Sequence, residues 1–229
     1  MTTLLLCHYY TRESTLDWVA RRANHVLAVQ AVWLILQGGL AYGYVYSSHL
    51  AHIPPFLLLL GITPPLLLIA TMFLTKTGRS IIDSLPLNGL ILLNVVRFPV
   101  EITLFLLFLH KMVPALMTFE GGNLDILSGI SAAIFMVLTI GNKRGHRIIL
   151  LVWNFICLGL LLNIVIRALL SAPFPFQILG LDQPNIAILY FPFIWLPVFI
   201  VPLVLFGHLA MLRKLLRPPH WIFRTIVHQ

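Results

Sequence analysis

Charge is what this sequence has least of. Only 10% of its 229 residues are charged, with 7 acidic side chains in all, while 59% are hydrophobic. A soluble domain carries about 25% charged residues. So little charge excludes a soluble globular fold and a disordered chain alike. Cysteine is almost absent: Cys7 and Cys157 make neither a disulfide framework nor a CxxC metal spacing. HExxH is missing too, and no metal or other cofactor is implied. Mid-membrane lysine is lacking, since Lys76, Lys111, Lys143 and Lys214 fall at stretch ends or in loops, which excludes a retinal Schiff base. The histidines His25, His208, His49, His52 and His110 lie at helix termini, poorly placed as haem ligands. There is no P-loop and no loop long enough for a nucleotide-binding domain, so ATP-driven work is excluded. Leu4–Leu6 is too short for a cleaved signal, and the first apolar stretch is expected to act as an uncleaved anchor.

What is present is apolar sequence in long runs. Mean hydropathy is +0.96. Stretches 24–46, 54–74, 86–109, 124–141, 148–170 and 186–209 approach or exceed the ~20 residues a helix needs to cross a bilayer, the fourth being the shortest. The expected fold is all-α, a bundle of six transmembrane helices. Basic residues set its orientation. Arg12, Arg21, Arg22, Lys76, Arg79, Lys143, Arg144, Arg147, Arg213, Lys214, Arg217 and Arg224 fall on one side, and Lys111 alone on the other. By the positive-inside rule both termini are cytoplasmic. The net charge of +8 thus reflects topology, and no nucleic-acid partner is implied. The chain divides into an interfacial segment 1–23, a membrane domain 24–210 and a basic amphipathic tail 211–229, expected in a plasma or inner membrane. Ser14-x-x-Asp17 reads as a capping box opening an in-plane helix, and Trp221, Ile222 and Phe223 give the tail its apolar side. The two halves are of similar length with opposite orientation, as in inverted repeats, although their residues show no convincing similarity.

Charge inside the apolar runs points to function. An ionisable group at the bilayer centre costs about 2.5–3.5 kcal/mol and needs a partner. Arg97 lies near the middle of the third stretch, with Glu101 one turn on and Asn94 on the same face. Pro99 between them kinks the helix. Asn163 and Arg167 share a face of the fifth stretch and are expected to converge with Arg97 and Glu101, while Gln30 and Gln37 share a face of the first. Two arginines against one glutamate leave a positive excess, to be balanced by an anionic ligand or by an acidic residue from an outer loop. Glu101 is expected to hold Arg97 in the empty state and to take a proton in turnover. The bland alternative is that these groups only lock helices together.

On the outer face, Thr118-Phe-Glu-Gly-Gly-Asn-Leu-Asp125 is the most unusual segment. Asn123 suits a helix cap with Asp125 in the first turn. Glu120 and Asp125 with His110, His49 or His52 form the other candidate site, an acid–base or metal pair. Small residues at Gly39/Gly43, Ser128/Ala132 and Gly129/Ala133 suit close helix packing, within the chain, in a homo-oligomer or against partner subunits. The first expectation is a small transporter or a solute- or lipid-binding membrane protein, with an intramembrane site open to the outer side. The alternatives are an enzyme acting on a lipid-linked substrate and an accessory subunit of a larger complex. Whether the chain is an enzyme stays open.

Overall fold

A computed structural model describes residues 2–141 and 147–217. Lys143, Arg144 and the tail residues Trp221 to Arg224 lie outside the described residues. The described residues are 75% helical, with no strand among them. Helices α1 (Thr2–Arg12) and α2 (Asp17–Arg21) precede α3 (Ala23–Tyr42). A π-helical turn, Leu57–Ile62, leads into α4 (Thr63–Leu74), followed by α5 (Lys76–Ser84). Helix α6 (Leu87–Leu92) runs through a 3-10 turn, Leu93–Val96, into α7 (Arg97–Leu109). Then come α8 (Asp125–Gly141), α9 (Arg147–Ser171) and, after a second π-helical turn at Leu196–Ile200, α10 (Val201–Leu216).

Among the described residues, five continuous helical runs are long and apolar enough to cross a membrane: Ala23–Tyr42, Leu57–Leu74, Leu87–Leu109, Arg147–Ser171 and Leu196–Leu216. The apolar helix Asp125–Val137 is shorter. Exposed aliphatic side chains such as Val32, Ile35, Leu67, Leu68, Ile148 and Ile156 cover the outside, an apolar surface that suits lipid and not water. The last span starts ten residues later than its apolar run. Residues 186–195 are apolar because Ile188, Leu189 and Ile194 are buried loop residues, 6%, 1% and 0% exposed. Arg213 and Lys214 therefore sit in the last turn of α10. The capping box does not form either. Ser14 Oγ bonds to Ser84 Oγ at 2.7 Å and accepts from Leu16 N, and α2 has no side-chain cap.

Prolines explain the two widened turns. A proline within a helix removes the hydrogen bond to the carbonyl four residues back and pushes against it. Pro64 frees Leu60 O and Pro202 frees Val198 O. Helix α3 supplies both replacements: Gln37 Nε2 donates to Leu60 O at 3.1 Å, and Trp33 Nε1 donates to Val198 O at 3.0 Å. The two π-helical turns pack on each other. Gly61 makes this possible, because a Cβ there would lie 2.7 Å from Val198 Cγ1. Helices α7 and α8 are equally close at Gly129, whose Cβ would meet Phe98 N at 2.5 Å. The Ser128, Gly129 and Ala132 stripe is thus spent within the chain, whereas a Cβ on Gly39 would meet nothing.

The segments between spans gather at two ends. At one end Ile186 N donates to Met112 O, Asn185 N to Ser171 O, and Gln183 Nε2 to Phe108 O, so residues 110–124 and 172–195 form one compact cap. At the other end Asp83 pairs with Arg213 at 3.0 Å and with Arg217, while Lys214 Nζ donates to Asp83 O and Leu85 O at the end of α5. Outside the spans, burial pushes the Cys7 thiol up to about 12. It stays a thiol rather than a reactive thiolate.

Candidate functional site

The site begins with the face of α7 that the sequence singled out. Asn94, Arg97 and Glu101 are 0%, 2% and 1% exposed. Arg97 does not pair with Glu101. Its guanidinium forks onto Asp125 in the first turn of α8, Nε donating to Oδ2 at 2.8 Å and Nη2 to Oδ1. Their i, i+4 spacing on one helix would allow that pair, but a better-aimed partner is present. Asp125 arrives from the side at the depth of Arg97, where the close α7–α8 approach at Gly129 brings it in. The acidic residue that balances the arginine thus comes from the start of α8, beside the loop of residues 110–124.

Arg97 Nη1 donates to Cys157 O of α9 at 3.0 Å and meets His208 Nε2 of α10 at 3.2 Å, with Asn94 Oδ1 at 3.5 Å. A guanidinium has only donors. His208 Nε2 is therefore an acceptor, and Nδ1 carries the hydrogen. Nδ1 donates to Asn154 Oδ1 at 2.6 Å, and Asn154 Nδ2 returns a bond to His208 O at 3.1 Å. Four helices are tied together by this one side chain and its partners.

Glu101 takes a different partner. Asn123 Nδ2 donates to Glu101 Oε1 at 2.7 Å and to Met117 O at 3.1 Å, while Asn123 Oδ1 accepts from Asp125 N. Asn123 thus accepts from the first amide of α8 and holds Glu101 as well. Glu101 Oε2 is buried with no hydrogen-bond partner among the described residues.

Arg167 serves the loop. Its Nη1 donates to Leu116 O at 2.8 Å and Gly121 O at 3.0 Å, which holds residues 116–121 against α9. Asn163 is half-buried, and among the described residues no side-chain hydrogen bond joins it to Arg97 or Glu101. The convergence of all four residues therefore stops at Arg97 and Glu101. Glu120 and His110 are exposed, and Asp125 spends both oxygens on Arg97, so these three share no site. No group of three metal-ligating side chains occurs among the described residues. Sequence reasoning did not single out Asn154 and placed His208 at a helix terminus; both are 0% exposed, and His208 lies in the middle of α10. The available signal was a histidine and an asparagine inside apolar runs.

The loop geometry that delivers Asn123 and Asp125 depends on two glycines. Gly122 has φ +81°, in the left-handed region that favours glycine. Gly121 has no space for a side chain, since its Cβ would lie 2.0 Å from Ala115 O. Gly122→Ala is expected to cost about 1–2 kcal/mol through the backbone. Gly121→Ala is expected to cost more, because Ala115 and Leu116 must move and with them the Arg167 bonds. Thermal unfolding in detergent checks this order, and equal values would refute it.

Beside these charges lies a cleft of about 330 Å³. Its walls come from the turn before α4 and α4 itself (Ile62, Leu66), α7 (Val100, Leu104), α9 (Leu161, Val165) and α10 with its preceding turn (Leu196, Val204). Its ionisable lining consists of Arg97, Glu101 and Asp125. Leu66 and Leu162 line it while being 41% and 47% exposed, which puts its mouth on the apolar outer surface between α4 and α9. Ligand sites of about 300–1,000 Å³ with apolar walls and a few convergent polar groups are the usual form.

Residues 54–216 match a protein family described as a domain of unknown function (DUF8737). That stretch contains every side chain of the site and every wall of the cleft. No curated protein and no solved structure matches the chain.

Proposed function

This chain belongs to the DUF8737 family, and from the geometry above we propose that it binds an amphiphile inside the bilayer, as a small carrier or lipid-binding protein. One observation carries the reading. The cleft is apolar on all its walls, opens among lipid-facing side chains, and ends on three ionisable groups of which one oxygen is free among the described residues. A water-soluble solute gains nothing from such walls, whereas an acyl or aryl chain entering from the bilayer exchanges one apolar environment for another. Its polar end then finds a polar partner at the floor, where the walls offer none.

In this reading α8 is a sixth crossing, its short apolar part completed by the residues that follow Val137. Both termini are cytoplasmic, and the compact cap of residues 110–124 and 172–195 faces outward, as the basic residues at the opposite end support. The cleft lies in the outer half of a plasma or inner membrane. Arg97, Asp125, His208 and Asn154 are scaffold, holding α7, α8, α9 and α10 at the spacing that leaves the cleft open, and Glu101 faces the guest.

Filling the cleft tests this. Val165→Phe projects a ring from α9 into the cavity without touching the ionic floor. Protein purified in mild detergent is expected to retain a bound amphiphile that native mass spectrometry detects. The Val165→Phe variant is expected to lose it while unfolding at an unchanged temperature. Equal retention in both proteins would refute the reading.

A further inference from the structure

We propose that the polar end recognised in the cleft is a protonated amine, held by Glu101 in exchange for a proton; this rests on the amphiphile reading above. The inference comes from charge accounting at the floor. Arg97 is the lining cation, and its charge is cancelled by the fork onto Asp125. Its Nη1 hydrogens are directed at Cys157 O and His208 Nε2. The arginine therefore has no surplus charge for an anion. Arg167 offers none either, since it is bound to loop carbonyls.

Glu101 is in the opposite position. It is 1% exposed, it lines the cleft, and its Oε1 has one neutral partner in Asn123. Its Oε2 has none among the described residues, and Arg97 makes its ion pair elsewhere. The charged or titratable group acting on it is Arg97 on its own helix, already neutralised by Asp125 of α8; Cys157 of α9 and His208 of α10 are engaged with Arg97, the first through its carbonyl and the second through an accepting Nε2. Helix α4 and the turn before it contribute Leu66 and Ile62. Among the described residues, no cation is therefore left to balance a charge on Glu101. Balance comes from a proton or from a guest cation, and both need the same oxygen.

An ammonium group supplies what is missing: a positive charge and an N–H donor aimed at Oε2, a charge-assisted bond of the stronger kind. The exchange is balanced. Glu101 gives its carboxyl proton to water, the ammonium keeps all of its own, and the floor remains neutral. An alcohol offers a donor without charge and leaves the proton in place. A carboxylate or sulfate meets Glu101 and Asp125 with no free cation and is excluded.

Octylammonium, octanol and octanoate share one chain and differ in head group. Their binding to the full-length protein in neutral detergent is measured by the shift in unfolding temperature and by calorimetry. Octylammonium is expected to bind saturably, octanol weakly and octanoate not at all. Acidification is expected to weaken octylammonium binding, because the proton competes for Oε2, and to leave octanol unaffected. E101Q is expected to lower octylammonium affinity by about tenfold or more, to abolish its pH dependence and to leave octanol binding intact. Its amide oxygen preserves the Asn123 bond, and E101D, which keeps the charge one methylene shorter, is expected to retain the pH dependence. Octanoate binding as tightly as octylammonium, or E101Q binding octylammonium normally, overturns the assignment of the head group while the cleft stands. Failure of all three ligands, with Val165→Phe without effect, overturns both.

Discussion

Replacing Asp125 with leucine is expected to destabilise the protein by about 3–5 kcal/mol, the cost of stranding a buried charge. Arg97 is 2% exposed and Asp125 4%, so the guanidinium has no route to solvent once its partner is gone. The other groups that hydrogen-bond Arg97 are neutral: a backbone carbonyl, an asparagine oxygen and an imidazole nitrogen. They satisfy hydrogen atoms but not charge. Asp125→Asn keeps one oxygen for the fork and is expected to fall between wild type and Asp125→Leu. Unfolding in mixed micelles measures the series.

The double variant Arg97→Met with Asp125→Leu separates charge from shape. Exchanging a whole buried pair for apolar residues of similar volume is often neutral or stabilising. The double variant is therefore expected to recover most of what Asp125→Leu alone loses, and each single variant to be less stable than the pair. A double variant as unstable as the sum of its parts would mean that the pair stabilises chiefly by packing and not by mutual neutralisation.

How far the sequence revealed this site depended on what each residue had to be compared with. Arg97 and Glu101 stood out because a charge in an apolar run is costly wherever it ends up, and their shared helix face followed from arithmetic along one helix. Their partners lay on other helices, and periodicity within a helix says nothing of rotation between helices. Asp125 looked like an ordinary first-turn carboxylate and is one, yet the same position delivers it to Arg97. Arg167 had the right spacing from Asn163 but lies near the end of α9, where loop carbonyls are closer than Glu101. The spans followed the same logic. Runs 86–109 and 148–170 agree closely with Leu87–Leu109 and Arg147–Ser171, because polar residues bracket them. Run 186–209 began too early, because a loop buried under its own apolar side chains has the composition of a span.

His208 and Asn163 turn that contrast into a measurement. Both are polar residues in apolar helices, and sequence alone favoured Asn163 as the site residue. His208→Leu removes the Nε2 that accepts from Arg97, a hydrogen bond to a charged group contributing about 1.5–3 kcal/mol. It also strands Asn154 Oδ1, which is buried and would face leucine, at a further cost of about 1–3 kcal/mol. The expected loss is about 3–5 kcal/mol. Asn163→Leu changes a half-buried side chain outside the network and is expected to stay within about 0.5 kcal/mol of wild type. Asn154→Leu refines the reading, because it leaves the Arg97–His208 bond in place, strands Nδ1–H and loses the Nδ2 bond to His208 O. It should lose less than His208→Leu. If Asn154→Leu lost as much, the imidazole would owe its position to Asn154 and not to the arginine. If Asn163→Leu lost more than His208→Leu, the network would not hold the helices in the way its geometry requires.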